Sequence, residues 1–225
     1  MIVARAAFLS LAALALAACG GSDGSAPSAS ESAAASDILL PDDMIIGAAD
    51  APVTIIEYAS VTCPHCATFH SRVYPTIKSE YVDTGKVRFV FREFPTAPAN
   101  LAMAGFVMAR CVAERAGEER EGEAYFGVVG ALFASQSSWL YGENADPRGE
   151  FLKVAGEAGL SEAELETCLS NQETVETIGA IIEDGRTTYD ITGTPSFVVD
   201  GQLVKNLRTE EDFKKTIEER LAAAS

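Results

Sequence analysis

Four consecutive residues, Cys63-Pro64-His65-Cys66, carry the reactive groups of this 225-residue chain. Two thiols at that spacing, in the first turn of a helix, lie close enough to close and reopen a disulfide. The apolar run Val53-Thr54-Ile55-Ile56-Glu57-Tyr58 just upstream reads as a strand, which puts the pair at a strand-to-helix junction. With Cys63 as the N-cap, Pro64 falls at the first helical position, where its missing N–H costs nothing and its fixed φ suits the helix. The Cys63 sulfur then faces the free backbone N–H groups of His65 and Cys66 and the positive end of the helix dipole. Its thiolate is stabilised, which makes Cys63 the attacking sulfur and leaves Cys66 tucked inside. His65 adds a donor and, when protonated, a positive charge beside that thiolate. A stabilised thiolate favours the reduced form, so such a pair gives its disulfide away and acts as an oxidant. At the low end of the known range, near ~3.5 against ~8.5 for free cysteine, the thiolate gains roughly 7 kcal/mol.

The competing chemistry is metal binding. Cys63, Cys66 and His70 supply three thiol and imidazole donors at plausible spacing for zinc or copper. A closed site needs a fourth ligand, and the chain has only two histidines, with Cys111 and Cys168 far off in sequence. The expectation is therefore no metal site, with His70 as a partly exposed helix residue.

The elements that must position the thiols follow from the apolar pattern. Val53 to Tyr58 has one charge, as in a strand covered on both faces. A helix from Pro64 to about Tyr81 carries its stripe on Cys66, Phe69, Val73, Ile77 and Tyr81, with a kink at Pro75. Val87 to Phe94 reads as a second strand, parallel to the first across the intervening helix. Residues 99–189 lack strand patterns and read as several helices, with a capping box at Ser161-Glu162-Ala163-Glu164 and a cap at Asn171. After Thr194-Pro195, two short strands flank Asp200-Gly201 as a hairpin, and a last helix capped by Thr209 buries Phe213, Ile217 and Leu221. The pattern predicts an α/β fold with residues 37–98 and 190–225 as one domain and 99–189 as a helical insertion.

The N-terminus reads as an export signal over 1–18, with Arg5 followed by an Ala- and Leu-rich stretch too short to span a bilayer. Leu16-Ala17-Ala18-Cys19-Gly20 resembles the lipobox of bacterial lipoproteins, in which the cysteine becomes the acylated first residue; an ordinary cleavage site after small residues is the alternative. By that resemblance, the absence of Asp after Cys19 favours the outer over the inner membrane. Residues 19–36 are Gly-, Ser- and Ala-rich and form a tether with a reach of roughly 20–25 Å. The formal net charge of −16 excludes nucleic acid as an expected partner and gives no attraction to anionic lipids, leaving the lipid anchor as the only membrane attachment. Export to an oxidising compartment favours pairing the remaining cysteines, Cys111 and Cys168, each on an apolar helical stripe. Closing so long a loop stabilises by about 4 kcal/mol in the chain-entropy model; two separate buried thiols are the alternative.

Taken together, Gly47-Ala48-Ala49-Asp50-Ala51-Pro52-Val53 with Glu57, the Cys63 to Cys66 motif and Gly193-Thr194-Pro195 resemble DsbA-like thiol-disulfide oxidoreductases over nearly all of Pro41 to Leu221. That family has a thioredoxin fold interrupted by a helical domain. The resemblance implies a cis peptide before Pro195, which with Thr194 holds an extended client strand against Cys63. It also places an acid, Glu57, beneath the second thiol, where it shuttles the Cys66 proton; an edge-strand glutamate in water is the alternative. Thr194 stands where several oxidant members carry Val and where isomerase-type relatives also carry Thr. The family further implies client proteins with reduced cysteines, a DsbB-type quinone-linked partner for reoxidation, no cofactor, and a location on the periplasmic side of the envelope. Isomerases of this kind carry a dimerisation module, so the tether favours a monomer. The alternatives are an isomerase or reductase, and a non-catalytic copper-binding lipoprotein.

Overall fold

The structure is a computed structural model that describes residues 38–224. The signal segment, the tether and Cys19 lie outside the described residues. In chain order the elements are β1 (Met44–Ile46), β2 (Val53–Ala59), α1 (Pro64–Arg72), α2 (Tyr74–Ile77), a π-helical turn (Lys78–Val82) and β3 (Val87–Glu93). Then come α3 (Ala99–Ala116), α4 (Glu121–Trp139), α5 (Pro147–Glu157), α6 (Glu162–Leu169) and α7 (Gln172–Tyr189). β4 (Ser196–Val199), β5 (Gln202–Val204) and α8 (Glu210–Ala223) close the chain. The fold is α/β, thioredoxin-like, with helices inserted between β3 and β4.

The five strands form one sheet in the order β1-β3-β2-β4-β5. β2 and β3 run parallel, with Glu57 opposite Phe91, while β2 and β4 run antiparallel, with Glu57 opposite Phe197. Glu57 thus sits in the middle strand of the sheet. Every residue of β2 and of β3 is buried, because helices cover both faces. One core lies between the sheet and the inserted helices, around Phe91, Phe106, Tyr125 and Leu132. The other lies under α1, α2 and α8, around Phe69, Ile77, Phe89 and Phe213.

The helix expected from Pro64 to Tyr81 is broken. α1 ends at Arg72, Val73 donates its N–H back to the Phe69 carbonyl, and α2 restarts with Pro75 in its first turn. Proline is tolerated there but not further into a helix, so the break falls two residues earlier than the ring itself. β1 has no counterpart among the sequence expectations: three residues carry too little pattern to register, and pairing with β3 from Met44 to Ile46 fixes them as a strand. Asp200 and Gly201, both at positive φ, make the two-residue hairpin turn.

Two buried ion-pair clusters tie the layers together. Arg92 on β3 donates to both carboxylate oxygens of Asp43 at 2.8 and 2.9 Å, to the Tyr58 hydroxyl at 2.7 Å and to Asp184 on α7 at 3.1 Å. Arg110 on α3 grips Glu93 through two bonds of 2.7 and 3.0 Å, and the Tyr125 hydroxyl donates to the same carboxylate. α7 lies flat on Tyr58 because Gly185 has no side chain; a Cβ there would come within 2.5 Å of the Tyr58 ring. The Arg92 cluster thereby fixes where α7 ends and where the loop to Thr194 begins.

Candidate active site

The loop from β2 into α1 is held from three sides. Ser60 accepts the Thr96 backbone N–H at 3.1 Å, and the Thr62 hydroxyl bonds the Thr96 carbonyl at 3.0 Å. From the inserted helices, Gln136 donates to the Val61 carbonyl at 2.8 Å and the Cys63 carbonyl at 3.0 Å, while the Tyr141 hydroxyl donates to Thr62. The Cys63 carbonyl also accepts the Ala67 N–H at 3.1 Å as the first bond of the helix, so Gln136 is its second donor, while the side chains of Gln136 and Tyr141 serve the Val61 and Thr62 carbonyls.

α1 then begins as the spacing predicts. Cys63 is the N-cap in an extended conformation, Pro64 occupies the first turn, and the Cys63 sulfur accepts the Cys66 backbone N–H at 3.4 Å. Both cysteines are free thiols and buried. The Cys63 thiol falls from its ordinary 9.0 to about 6. A hydrogen bond from the Cys66 thiol contributes most, partly opposed by burial; Thr194 and the backbone N–H groups of Cys66 and His65 add to it. Cys66 goes the other way, well above the usual thiol range, because it is fully buried, donates to Cys63 and feels the Glu57 charge. One thiol is thus primed to ionise while its neighbour keeps its proton.

This differs from the expectation in magnitude and in cause. A pKa near 6 corresponds to about 4 kcal/mol of full thiolate stabilisation rather than roughly 7, because burial offsets part of the hydrogen bonding. The Cys66 side chain makes the largest contribution, and His65 contributes its backbone N–H while its side chain is exposed.

Facing the sulfurs, the Thr194-Pro195 peptide is cis. The Cys63 thiol donates to the Thr194 carbonyl at 3.5 Å. The Thr194 hydroxyl is buried with no partner, which leaves its proton for the ionised form of Cys63. Beside this corner runs a groove of about 920 Å³, lined by His65, Arg72, Pro195, Phe197 and Lys205 among others.

Glu57 is completely buried, so the water-exposed alternative does not apply. His70 is partly exposed as a residue, as expected, but its side chain is only 5% exposed, and Nε2 meets Glu57 Oε2 at 2.8 Å. His70 lies one helical turn after Cys66, on the stripe that faces the sheet, and the buried carboxylate gives its ring a partner there. Among the described residues no group of three His, Cys, Asp or Glu side chains is placed to hold a metal ion.

Cys111 on α3 and Cys168 on α6 are joined as a disulfide, with Cα atoms 5.9 Å apart. The sequence reading missed Gln136, His70 as a partner of Glu57, and the Ser60-Thr62-Thr96 cluster. A glutamine and two threonines carry no periodic or motif signal; only a polar residue on an otherwise apolar helical stripe, as at Gln136, gave a hint.

The comparisons with known proteins come to the same fold. The family model described as Thioredoxin matches residues 40–219. A putative protein-disulfide oxidoreductase of Rickettsia typhi is 31% identical over 166 residues, covering 73% of this chain and 57% of that protein. The chain therefore spans little more than half the length of that relative. Disulfide bond formation protein D of Bacillus subtilis is 26% identical over 184 residues, covering 79% of this chain and 76% of the relative. Among solved structures, alpha-DsbA1 of Wolbachia pipientis superposes with a TM-score of 0.72 at 28% identity, covering 85% of this chain and 97% of that one. The family-model match over residues 40–219 and these relatives show that the chain belongs to the thioredoxin family and is DsbA-like.

Proposed function

We propose that this protein is a thiol-disulfide oxidoreductase that donates disulfides to client proteins through Cys63 and Cys66. The observation that carries the reading is the opposed ionisation of the two thiols, Cys63 down to about 6 and Cys66 well up, at one helix start beside cis Pro195. A client thiolate attacks Cys63 in the oxidised enzyme, and the Cys63–Cys66 bond breaks as a mixed disulfide forms. The client's second thiolate then displaces Cys63, which leaves as a stabilised thiolate. The enzyme ends reduced by two electrons. Thr194 and Pro195 hold the client strand, and Glu57 passes a proton to and from Cys66. Pro64 and His65 shape the first turn of α1 and supply, at His65, a backbone N–H to Cys63.

In this reading residues 37–98 and 190–225 form the redox domain and 99–189 its lid of helices. The protein works as a monomer on the periplasmic side of a bacterial envelope, anchored by acylated Cys19, with the outer membrane favoured. A DsbB-type quinone-linked protein reoxidises it. Among the described residues no helix is long and apolar enough to cross a membrane. The moderate depression of Cys63 favours, as a second reading, a weaker oxidant or isomerase. The reduction potential against glutathione decides: a value well above about −270 mV supports disulfide donation, and one at or below it assigns a reductase.

A further inference from the structure

Glu57 has no exposed surface, and only one of its oxygens has a partner. Oε2 meets His70 Nε2 at 2.8 Å, while Oε1 is buried with none. A buried carboxylate ordinarily draws several donors, so an oxygen left open marks a place for a proton. The group within its electrostatic reach that must exchange one is Cys66. The His70 ring is fixed by stacking on Phe133, with centroids 4.4 Å apart, and by tilted contact with Tyr74.

We propose that His70 is a positioning residue for the exchange reaction: it holds Glu57 with Oε1 open toward the chemistry of Cys66, and its own proton sets the charge of the buried pair. The inference rests on the exchange reading above. When a client thiolate attacks Cys63 Sγ, the Cys63–Cys66 bond breaks and its electron pair leaves on Cys66 Sγ. That sulfur takes a proton from Glu57 Oε1, and the new bond joins Cys63 to the client. With His70 protonated, the pair ends neutral. With His70 neutral, it ends as an uncompensated buried anion beside Cys66, so Glu57 gives up its proton less readily. In the reverse step neutral His70 makes Glu57 the better base.

Few other groups bear on the pair. Cys66 faces it from α1, and from α2 the Tyr74 hydroxyl, buried without a partner, feels the Glu57 charge. From α4, Tyr125 also feels Glu57, but its hydroxyl is bonded to Glu93, which Arg110 of α3 pairs. β3 and β4 flank Glu57 with Phe91 and Phe197.

Two measurements on the full-length protein test the proposal. The chain has two histidines, so ring 15N spectra of the wild type and His70→Gln assign both. The protonation midpoint of His70 is expected to differ between the oxidised and reduced forms, since coupling to the Cys66 proton must act in both directions. In single-turnover reduction by glutathione, with rates expressed per glutathione thiolate, the wild type is expected to slow as pH rises through the His70 midpoint. Glutamine keeps an N–H donor for Oε2 but does not titrate, so His70→Gln is expected to lose that inflection. Equal His70 midpoints in the two redox forms, or an inflection that survives in His70→Gln, would overturn the proposal. If glutathione reduces the disulfide in neither protein, the exchange reading falls and takes the inference with it; if it reduces both with superimposable pH profiles, the inference alone falls.

Discussion

Replacing Cys63 by serine removes an ionisable group from a site where only 5% of the residue is exposed, so solvent does little to screen the shift. The folded, reduced protein holds this thiol at about 6 against an ordinary 9.0. An acid depressed in the folded state contributes stability that is complete above the unfolded value and disappears as pH falls through the folded one. For these two values the contribution is about 0.1 kcal/mol at pH 5, about 1.4 at pH 7 and about 2.7 at pH 8. Urea unfolding of reduced wild type and reduced Cys63→Ser at each pH gives the contribution as the change with pH in their stability difference. Other titrating groups cancel between the two proteins. The same thiolate stabilisation raises the reduction potential at pH 7 by about 30 mV relative to an unperturbed thiol, which equilibration with glutathione measures independently. A stability difference that stays flat from pH 5 to pH 8 would show that the hydrogen bonds around Cys63 do not stabilise its thiolate.

Two further perturbations probe the elements that set the site. Thr194→Val keeps the carbonyl that meets the Cys63 thiol but removes the hydroxyl available to its thiolate; a hydrogen bond to a charged group is worth about 1.5–3 kcal/mol. The Cys63 midpoint, followed by thiolate absorbance, is expected to rise by at least about one unit and the potential to fall; an unmoved midpoint would refute a role for that hydroxyl. Gln136→Ala leaves the Val61 carbonyl without its side-chain donor, while the Cys63 carbonyl keeps the Ala67 N–H, and is expected to cost roughly 1–3 kcal/mol in urea unfolding. A loss under about 0.5 kcal/mol would mean that the loop holds its own shape.

The reactive end of this protein was legible because its signals are local. Cys63, Pro64 and Cys66 announce a capped helix start, and the cap geometry follows from backbone donors within three residues. The β-branched run of β2 and the alternation of helix stripes across residues 99–189 were legible for the same reason: periodicity reports burial before any partner is known. Where the reading went astray, a partner distant in sequence decided. The bond from His70 to Glu57 was not foreseen because nothing in the His70 helix announces that Glu57, on a strand of the sheet, lies under it. β1 is too short to show a period and exists through its pairing with β3.

The sequence by itself determined the order of elements, the pair of thiols and their place at a helix N-terminus, since these depend on dihedral preference and on groups a few residues apart. Only the tertiary structure decided the balance of charge around them. The depth of Cys66, the open oxygen of Glu57, the Thr194 hydroxyl beside Cys63 and the Gln136 bonds to the loop all come from segments brought together across the sheet. Ionisation in a protein interior depends on every dipole within a few ångströms and on how much water is excluded, and both are properties of the packed whole.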